Sequence, residues 1–488
     1  MEKKLKLESV WQGETKKYPG LEKDIDCDIA VIGGGIAGYL TAFKLAEAGR
    51  KVTLLEADRL FSGTTGRTTA KISANQGSVY AELSARYGQR AAKLYYCAQE
   101  EGKREYAELV ERHHIECDWM ETDSYVFSED GGSNLENTFE VLRGIGAECE
   151  MVYELPPFRG VCALKMKGEY LFDPLKFLSA LPVGFEIYES TRAVKVDTKR
   201  KLIQTDRATV RADKIIIATH YPIVNSRGGY FMKLRQSMSY TVAVREKCTE
   251  NMYLNEREDG LSVRPYAEGT LFGGGDHRTG RIESERHFDR LKERAKSLFG
   301  ANAVTHCWCA EDVMTFDGMP MAGRYSKNTA DVYVVTGFNK WGMTNAMVCA
   351  SVLTDALLKR KNAYAEIFSP QRHIKKSFGD FTSNAMTNAK GLILGYFGVS
   401  FKTAADVPAG SGMIVFYNGK RRAVYRDLEG NLHVIGCMCP HMHCELAWNG
   451  NTNTWDCPCH GSRFDIYGNI LSEPAVKACK YERKNGEE

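Results

Sequence analysis

The stretch from Asp26 to Asp58, DCDIAVIGGGIAGYLTAFKLAEAGRKVTLLEAD, permits few folds. Asp28-Ile29-Ala30-Val31-Ile32 is a short apolar run with β-branched residues and reads as a buried strand. Gly33-x-Gly35-x-x-Gly38 follows at once. Ala37, Leu40, Thr41, Lys44, Leu45 and Ala48 then recur at helical spacing until Gly49 ends the helix. Val52-Thr53-Leu54-Leu55 is a second strand, closed by Glu56. Gly33 allows the tight turn, and Gly38 lets helix and strand pack closely. Gly35 lets a pyrophosphate approach the backbone at the helix N-terminus, where free N–H groups favour anions. Glu56 lies 18 residues past Gly38, where a carboxylate accepts hydrogen bonds from a ribose. Strand, glycines, helix, strand and acid agree, so the chain is expected to bind a dinucleotide.

A second fingerprint of this kind is missing. Gly273-Gly274-Gly275-Asp276-His277-Arg278 has the first two glycines, but Arg278 stands where the third belongs. One dinucleotide site is the economical reading. With 488 residues and roughly 100–200 per domain, two to four domains are expected. The formal net charge is only +3 and no basic run stands out, which argues against nucleic acid as the main partner. The apolar stretch Ile29–Phe43 is broken by glycines and falls short of the about 20 residues a spanning helix needs. The N-terminus has no apolar signal region, so a cytoplasmic location is expected.

Six of the 15 cysteines crowd into residues 437–479. In a reducing compartment, clustered cysteines more often bind metal than form disulfides. The spacing is Cys439-x-His441, then Cys457-x-x-His460: two loops, each offering one thiolate and one imidazole. Such a set can hold zinc or an iron–sulfur centre. Around it, Met413–Tyr417, Arg422–Arg426 and Leu432–Ile435 read as short strands joined by Asn418-Gly419 and Glu429-Gly430 turns.

The large body resembles the D-amino-acid oxidase-like flavoproteins, of the glycine oxidase and D-amino-acid dehydrogenase type. Besides the fingerprint, the resemblance rests on the Gly/Ser/Thr-rich loop Ala57–Ala70, the strand Lys214–Thr219, and the segments Thr315–Gly323 and Val332–Thr344. In the last, a strand ends in a glycine turn and a helix begins at about Gly342. The resemblance implies FAD as cofactor, approached by Gly33, Gly35, Gly38, Glu56, Thr65, Gly66, Arg67, Thr68, Ala218 and Thr219. It also implies Gly337, Trp341, Gly342, Met343 and Thr344 beside the flavin; His220 and Lys340 lie in the same segments. Arg264 and Tyr266, two apart on one strand, point to one face. The resemblance makes them the tentative substrate-orienting pair, holding a carboxylate.

The C-terminal unit resembles the Rieske family in C-P-H followed by C-P-C-H-G-S-x-F. That implies a 2Fe–2S cluster on Cys439, His441, Cys457 and His460, a disulfide between Cys444 and Cys459, and a tuning hydrogen bond from Ser462. Phe464 stands where some high-potential members carry Tyr, so a potential below the middle of the range is expected. His443 replaces a usual Gly, and Glu473 replaces a Gly before Pro474.

The expected architecture is therefore α/β plus all-β: a Rossmann-type FAD-binding domain with an inserted α+β substrate domain, then a small β-sheet Rieske domain. An extension covers residues 1–25 and the body 26–365, with the FAD domain discontinuous over about 26–110, 150–225 and 305–365; a connector spans 366–397 and the Rieske domain 398–488. The expected activity is a dehydrogenase that oxidises a C–N bond of an amine or amino acid. Its electrons leave singly by His441 and His460 to an external one-electron acceptor, a protein or a quinone. The alternatives are reversed flow, from a donor through the cluster to FAD, and a non-catalytic redox carrier.

Overall fold

The computed structural model describes residues 6–11, 15–224, 228–257, 259–281, 286–373 and 402–481. The expected connector lies outside the described residues from 374 onward.

The fingerprint folds as its pattern dictates. Ile25–Ile32 and Val52–Leu55 pair in parallel, and the helix Ile36–Glu47 joins them. Four consecutive buried residues end the first strand, as a strand covered on both faces requires. The helix buries Ile36, Leu40, Phe43 and Leu45; each large apolar side chain so buried stabilises by about 1.5–3 kcal/mol. Thr209–Ile217 and Val332–Thr336 extend the parallel sheet on the other side, and Glu186–Tyr188 extends it beyond Val52–Leu55. Met321–Arg324, Leu202–Thr205 and Ala193–Asp197 complete eight strands.

A second, nine-stranded mixed sheet stands beside the first. It runs in the order Val304–Thr315, Leu234–Val244, Gly269–Arg278, Ser262–Tyr266, Met252–Asn255, Met120–Ser128, Cys162–Leu171, Lys71–Ile72. Glu150–Val152 pairs at the side of Cys162–Leu171. The chain enters this sheet directly from the cofactor loop, through Lys71–Ile72, and leaves it through Val304–Thr315.

The C-terminal unit has its own core. Ser411–Tyr417, Lys420–Arg426 and Leu432–Gly436 form an antiparallel meander, and Ala447–Asn449, Thr454–Asp456, Arg463–Phe464 and Ile470–Ser472 a second sheet. Asn418 and Gly419 both take positive φ, 48° and 76°, which a two-residue hairpin of this hand requires.

The unit docks on the strand Leu234–Val244 and its neighbours. Arg463, buried, reaches Asp456 at 3.0 Å and Glu311 of the body at 3.8 Å. Ser472 donates to the same Glu311 carboxylate. Asn449 Nδ2 donates to the Tyr240 hydroxyl at 3.2 Å. Arg278 donates to the Pro458 and Cys459 carbonyls at 3.1 Å each.

Candidate functional site

One cavity of about 730 Å³ lies between the two large sheets and is closed on one side by Ile470, Leu471, Glu473 and Val476 of the C-terminal unit. Its floor is the glycine turn. Gly33 has φ 109°, and a Cβ there would lie 2.4 Å from the Ala218 carbonyl oxygen; a Cβ on Gly38 would lie 2.0 Å from the Gly33 oxygen. No side chain fits at either place, which leaves the first turn of the helix open to a ligand. Glu56 Oε2 accepts from Gly34 N–H at 2.7 Å and Oε1 from Asp58 N–H at 2.9 Å. Burial pushes this carboxyl up to about 7, and the two N–H donors pull against that rise. Each oxygen keeps a lone pair for a ribose hydroxyl.

Gly33, Gly35, Glu56, Thr65, Arg67 and Thr68 line the cavity, and so do Ala218, Thr219, Gly337, Trp341, Gly342 and Met343. The helix Gly342–Leu357 begins at the residue the sequence indicates. Gly38, Gly66 and Thr344 lie behind the wall: a Cβ on Gly66 would meet the Phe61 oxygen at 2.6 Å, and the Thr344 hydroxyl accepts from Ser73 N–H at 3.0 Å. His220 and Lys340 also line the cavity. Burial holds His220 down to about 4, and Lys340 pairs with Asp276 at 3.0 Å.

Arg264 and Tyr266 do not line the cavity, which corrects their expected role. Arg264 is 2% exposed; its Nη1 donates to the Thr69 and Ala70 carbonyls at 2.7 Å each and its Nε to Pro265 O at 2.6 Å. Its guanidinium lies over Trp11, which Tyr266 meets edge-on. The pair braces the cofactor loop from behind. Strand alternation gave the two a common face but not which face, and the N-terminal extension covers it. Sequence reasoning missed Lys71, which faces the cavity instead. Its Nζ donates to Ser262 Oγ at 2.6 Å and Tyr253 O at 3.2 Å, and burial, then the Arg264 charge, holds it down to about 7. Its place directly after the Gly/Ser/Thr loop was the available signal.

In the C-terminal unit, Cys439 and Cys457 are buried, and their side chains are in hydrogen-bond contact with each other. The His441 and His460 rings stand 5.0 Å apart at 90°. His460 is 3% exposed, and neither of its ring nitrogens has a hydrogen-bond partner among the described residues. A buried imidazole with unpartnered nitrogens, a second imidazole 5.0 Å from it and two buried thiols fit a metal centre. Cys444, Cys457 and Cys459 also bring their sulfurs within 4.8 Å of one another. Cys444 and Cys459 are joined as a disulfide, however, and offer no thiolate. Ser462 Oγ accepts from Ala475 N–H at 2.9 Å and hydrogen-bonds the Cys439 sulfur. His443 carries the strained backbone its sequence position implied, with φ 56°.

The expected exit by both histidines needs correction. His460 is packed edge-on against Tyr221 and Phe231 of the body, and only His441 reaches the surface in part.

The family model described as FAD dependent oxidoreductase matches residues 28–356, and the Rieske [2Fe-2S] domain model matches 399–482. The chain belongs to the FAD dependent oxidoreductase family. It carries a Rieske domain at its C-terminal end, and the cofactors of the two parts are FAD and a 2Fe–2S cluster. The likeness to one relative runs nearly the full length: the Rieske 2Fe-2S iron-sulfur protein YhfW of Bacillus subtilis is 34% identical over 97% of both chains. Gamma-glutamylputrescine oxidoreductase of Escherichia coli is 23% identical over 72% of this chain and 88% of its own. Glycine oxidase from Geobacillus kaustophilus shares the fold, with TM-score 0.61 and 19% identity over 72% of this chain and 99% of its own. No described helix of this family member is long and apolar enough to cross a membrane.

Proposed function

We propose that this FAD-dependent oxidoreductase oxidises a C–N bond of an amine or amino acid and delivers the electrons singly, by way of the Rieske cluster, to an external acceptor, a protein or a quinone. Bound FAD supplies two-electron acceptance, and the cluster supplies one-electron transfer. One observation carries the reading: His220 lines the cofactor cavity, and the next residue, Tyr221, rests on His460. A single peptide unit separates the two sites.

In this reading Gly33 and Gly35 receive the pyrophosphate, Glu56 the ribose, and Thr65, Arg67, Thr68, Trp341 and Met343 border the flavin. Cys439, His441, Cys457 and His460 hold the cluster. His460 is the inward ligand and His441 the outward one. Lys71, in the wall formed with the second sheet, is placed to orient a substrate. The nine free cysteines of the body suit a reducing compartment, the cytoplasm. The disulfide cysteines, each 2% exposed, are shielded from reductants.

Anaerobic addition of amines and amino acids, with flavin absorbance and cluster EPR followed together, tests the proposal. A substrate should bleach the flavin and raise the signal of the reduced cluster. Bleaching with a cluster that stays oxidised would refute the transfer. Reduction of the cluster first, by an added donor, would support flow in the other direction.

A further inference from the structure

Glu473, which takes the place of a usual glycine, has no part in the proposed electron path, yet it lines the cofactor cavity. Its place there is fixed by both its backbone and its side chain. The Glu473 carbonyl accepts from Gln236 Nε2 of the body at 2.8 Å, and its carboxylate pairs with Arg192 Nη1 at 3.7 Å. Arg192 stands at the ribose end of the cavity. Its neighbour Thr191 donates its N–H to the Glu56 carbonyl at 2.8 Å, and the Arg192 N–H donates to Asp206 at 3.1 Å. On the other side of Glu473, Ser472 bonds to Glu311, whose carbonyl accepts from Thr64 Oγ1 at 3.0 Å. The segment 470–476 therefore reaches across the cavity from the Gly/Ser/Thr loop to Arg192.

The two side chains of the pair are 26% and 27% exposed, and a pair so open adds little stability. What it does is hold a second carboxylate at the end where Glu56 already stands. Burial raises the Glu473 carboxyl above its ordinary range, and the Arg192 charge opposes the rise. Ionised carboxylates only accept hydrogen bonds, and adenosine offers donors in its ribose hydroxyls and its exocyclic amino group.

We propose that the C-terminal unit completes the dinucleotide site: Glu473 accepts a hydrogen bond from the adenosine half of FAD, Arg192 holds that carboxylate in place, and the docked segment bars the cofactor's exit. Glu473 is then a cofactor-binding residue and Arg192 a positioning one. Docking and cofactor binding are linked, so whatever the docked unit adds to FAD binding, FAD adds to docking. The inference rests on the placement of the pyrophosphate at Gly33 and Gly35 and of the ribose at Glu56, not on the substrate or the acceptor.

The test is the rate at which the diluted full-length holoprotein releases FAD, followed by flavin fluorescence, which requires no turnover. Glu473→Ala should release FAD about tenfold faster, as loss of one charge-assisted hydrogen bond implies, with wild-type iron content and Rieske g-values. Arg192→Ala, a change confined to the body, should also speed release. It decides the matter if Glu473→Ala fails to load its cluster, and unchanged release from it would then overturn the proposal. The double variant should be no faster than Glu473→Ala, because Arg192 acts through Glu473; additive acceleration would overturn the pairing and the proposal with it. Glu56→Gln is the reference and should speed release as well. Unchanged release from Glu473→Ala beside faster release from Glu56→Gln would overturn this proposal alone. Unchanged release from both would overturn the placement of the cofactor too.

Discussion

Two loops carry the candidate cluster ligands, and they close in the same way. His443 N–H donates to the Cys439 carbonyl and Gly461 N–H to the Cys457 carbonyl, each at 2.9 Å. Both donors have left-handed backbones, with φ 56° and 84°. Their surroundings are opposite. His443 is exposed, and its side chain runs into solvent. At Gly461 an added Cβ would lie 2.6 Å from Cβ of Gln236, whose Nε2 donates to the carbonyls of His460 and Glu473. The conformation alone makes glycine favourable; the body makes it necessary. One loop belongs to the surface and the other to the interface.

The largest way to break the comparison is Cys457→Ser in the inner loop. It removes a thiolate from a fully buried site, and loss of the Rieske EPR signal and of bound iron should follow; retained iron would refute the ligand set. Next comes Gly461→Ala, which adds backbone strain to a collision with Gln236. A loss of about 2–3 kcal/mol is expected in urea denaturation. His443→Gly, at the matching position outside, should act in the opposite sense. Relief of about 1–2 kcal/mol of left-handed strain is offset in part by glycine's greater freedom in the unfolded chain, for a net gain of about 0.5–1 kcal/mol. A loss there would show that His443 has a partner role that solvent exposure conceals.

The smallest effect is in the pH profile. Arg463 directly follows the inner loop's Ser462 and faces Glu311. Burial lifts Glu311 from 4.5 to about 7, with Arg463 and Ser472 opposing the rise. The folded chain therefore holds this proton more tightly than the unfolded one. Its contribution is full below about pH 4.5 and fades as pH rises through 7. Glu311→Gln should flatten the decline in urea midpoints across that window, and an unaltered slope would show that the carboxyl is not the group responsible.

Much of this molecule is legible in its sequence because local chemistry decides it. The glycine spacing, the Cys/His spacing and the Asn418-Gly419 turn each favour one local arrangement, and the strand–turn–helix, the two ligand-bearing loops and the hairpin are found. What the sequence conceals is which faces meet. The alternation at Arg264 and Tyr266 assigns them one side of a strand, but only the packing of Trp11 and the loop carbonyls decides that this side is closed. Lys71 sits one residue beyond the Gly/Ser/Thr loop, yet its access to the cavity depends on Ser262, 191 positions away. His460, expected as an electron exit, is buried against Tyr221 and Phe231 of the body. Contacts between remote segments have no local signature.

Since Ile470, Leu471, Glu473 and Val476 form part of the cavity wall, the small C-terminal unit also roofs the flavin chamber. A swing of that unit large enough to carry the cluster to a distant partner would flood the chamber with water. Under the proposed function the acceptor therefore comes to the molecule, and removing the unit would open the cofactor cavity rather than yield a simpler enzyme.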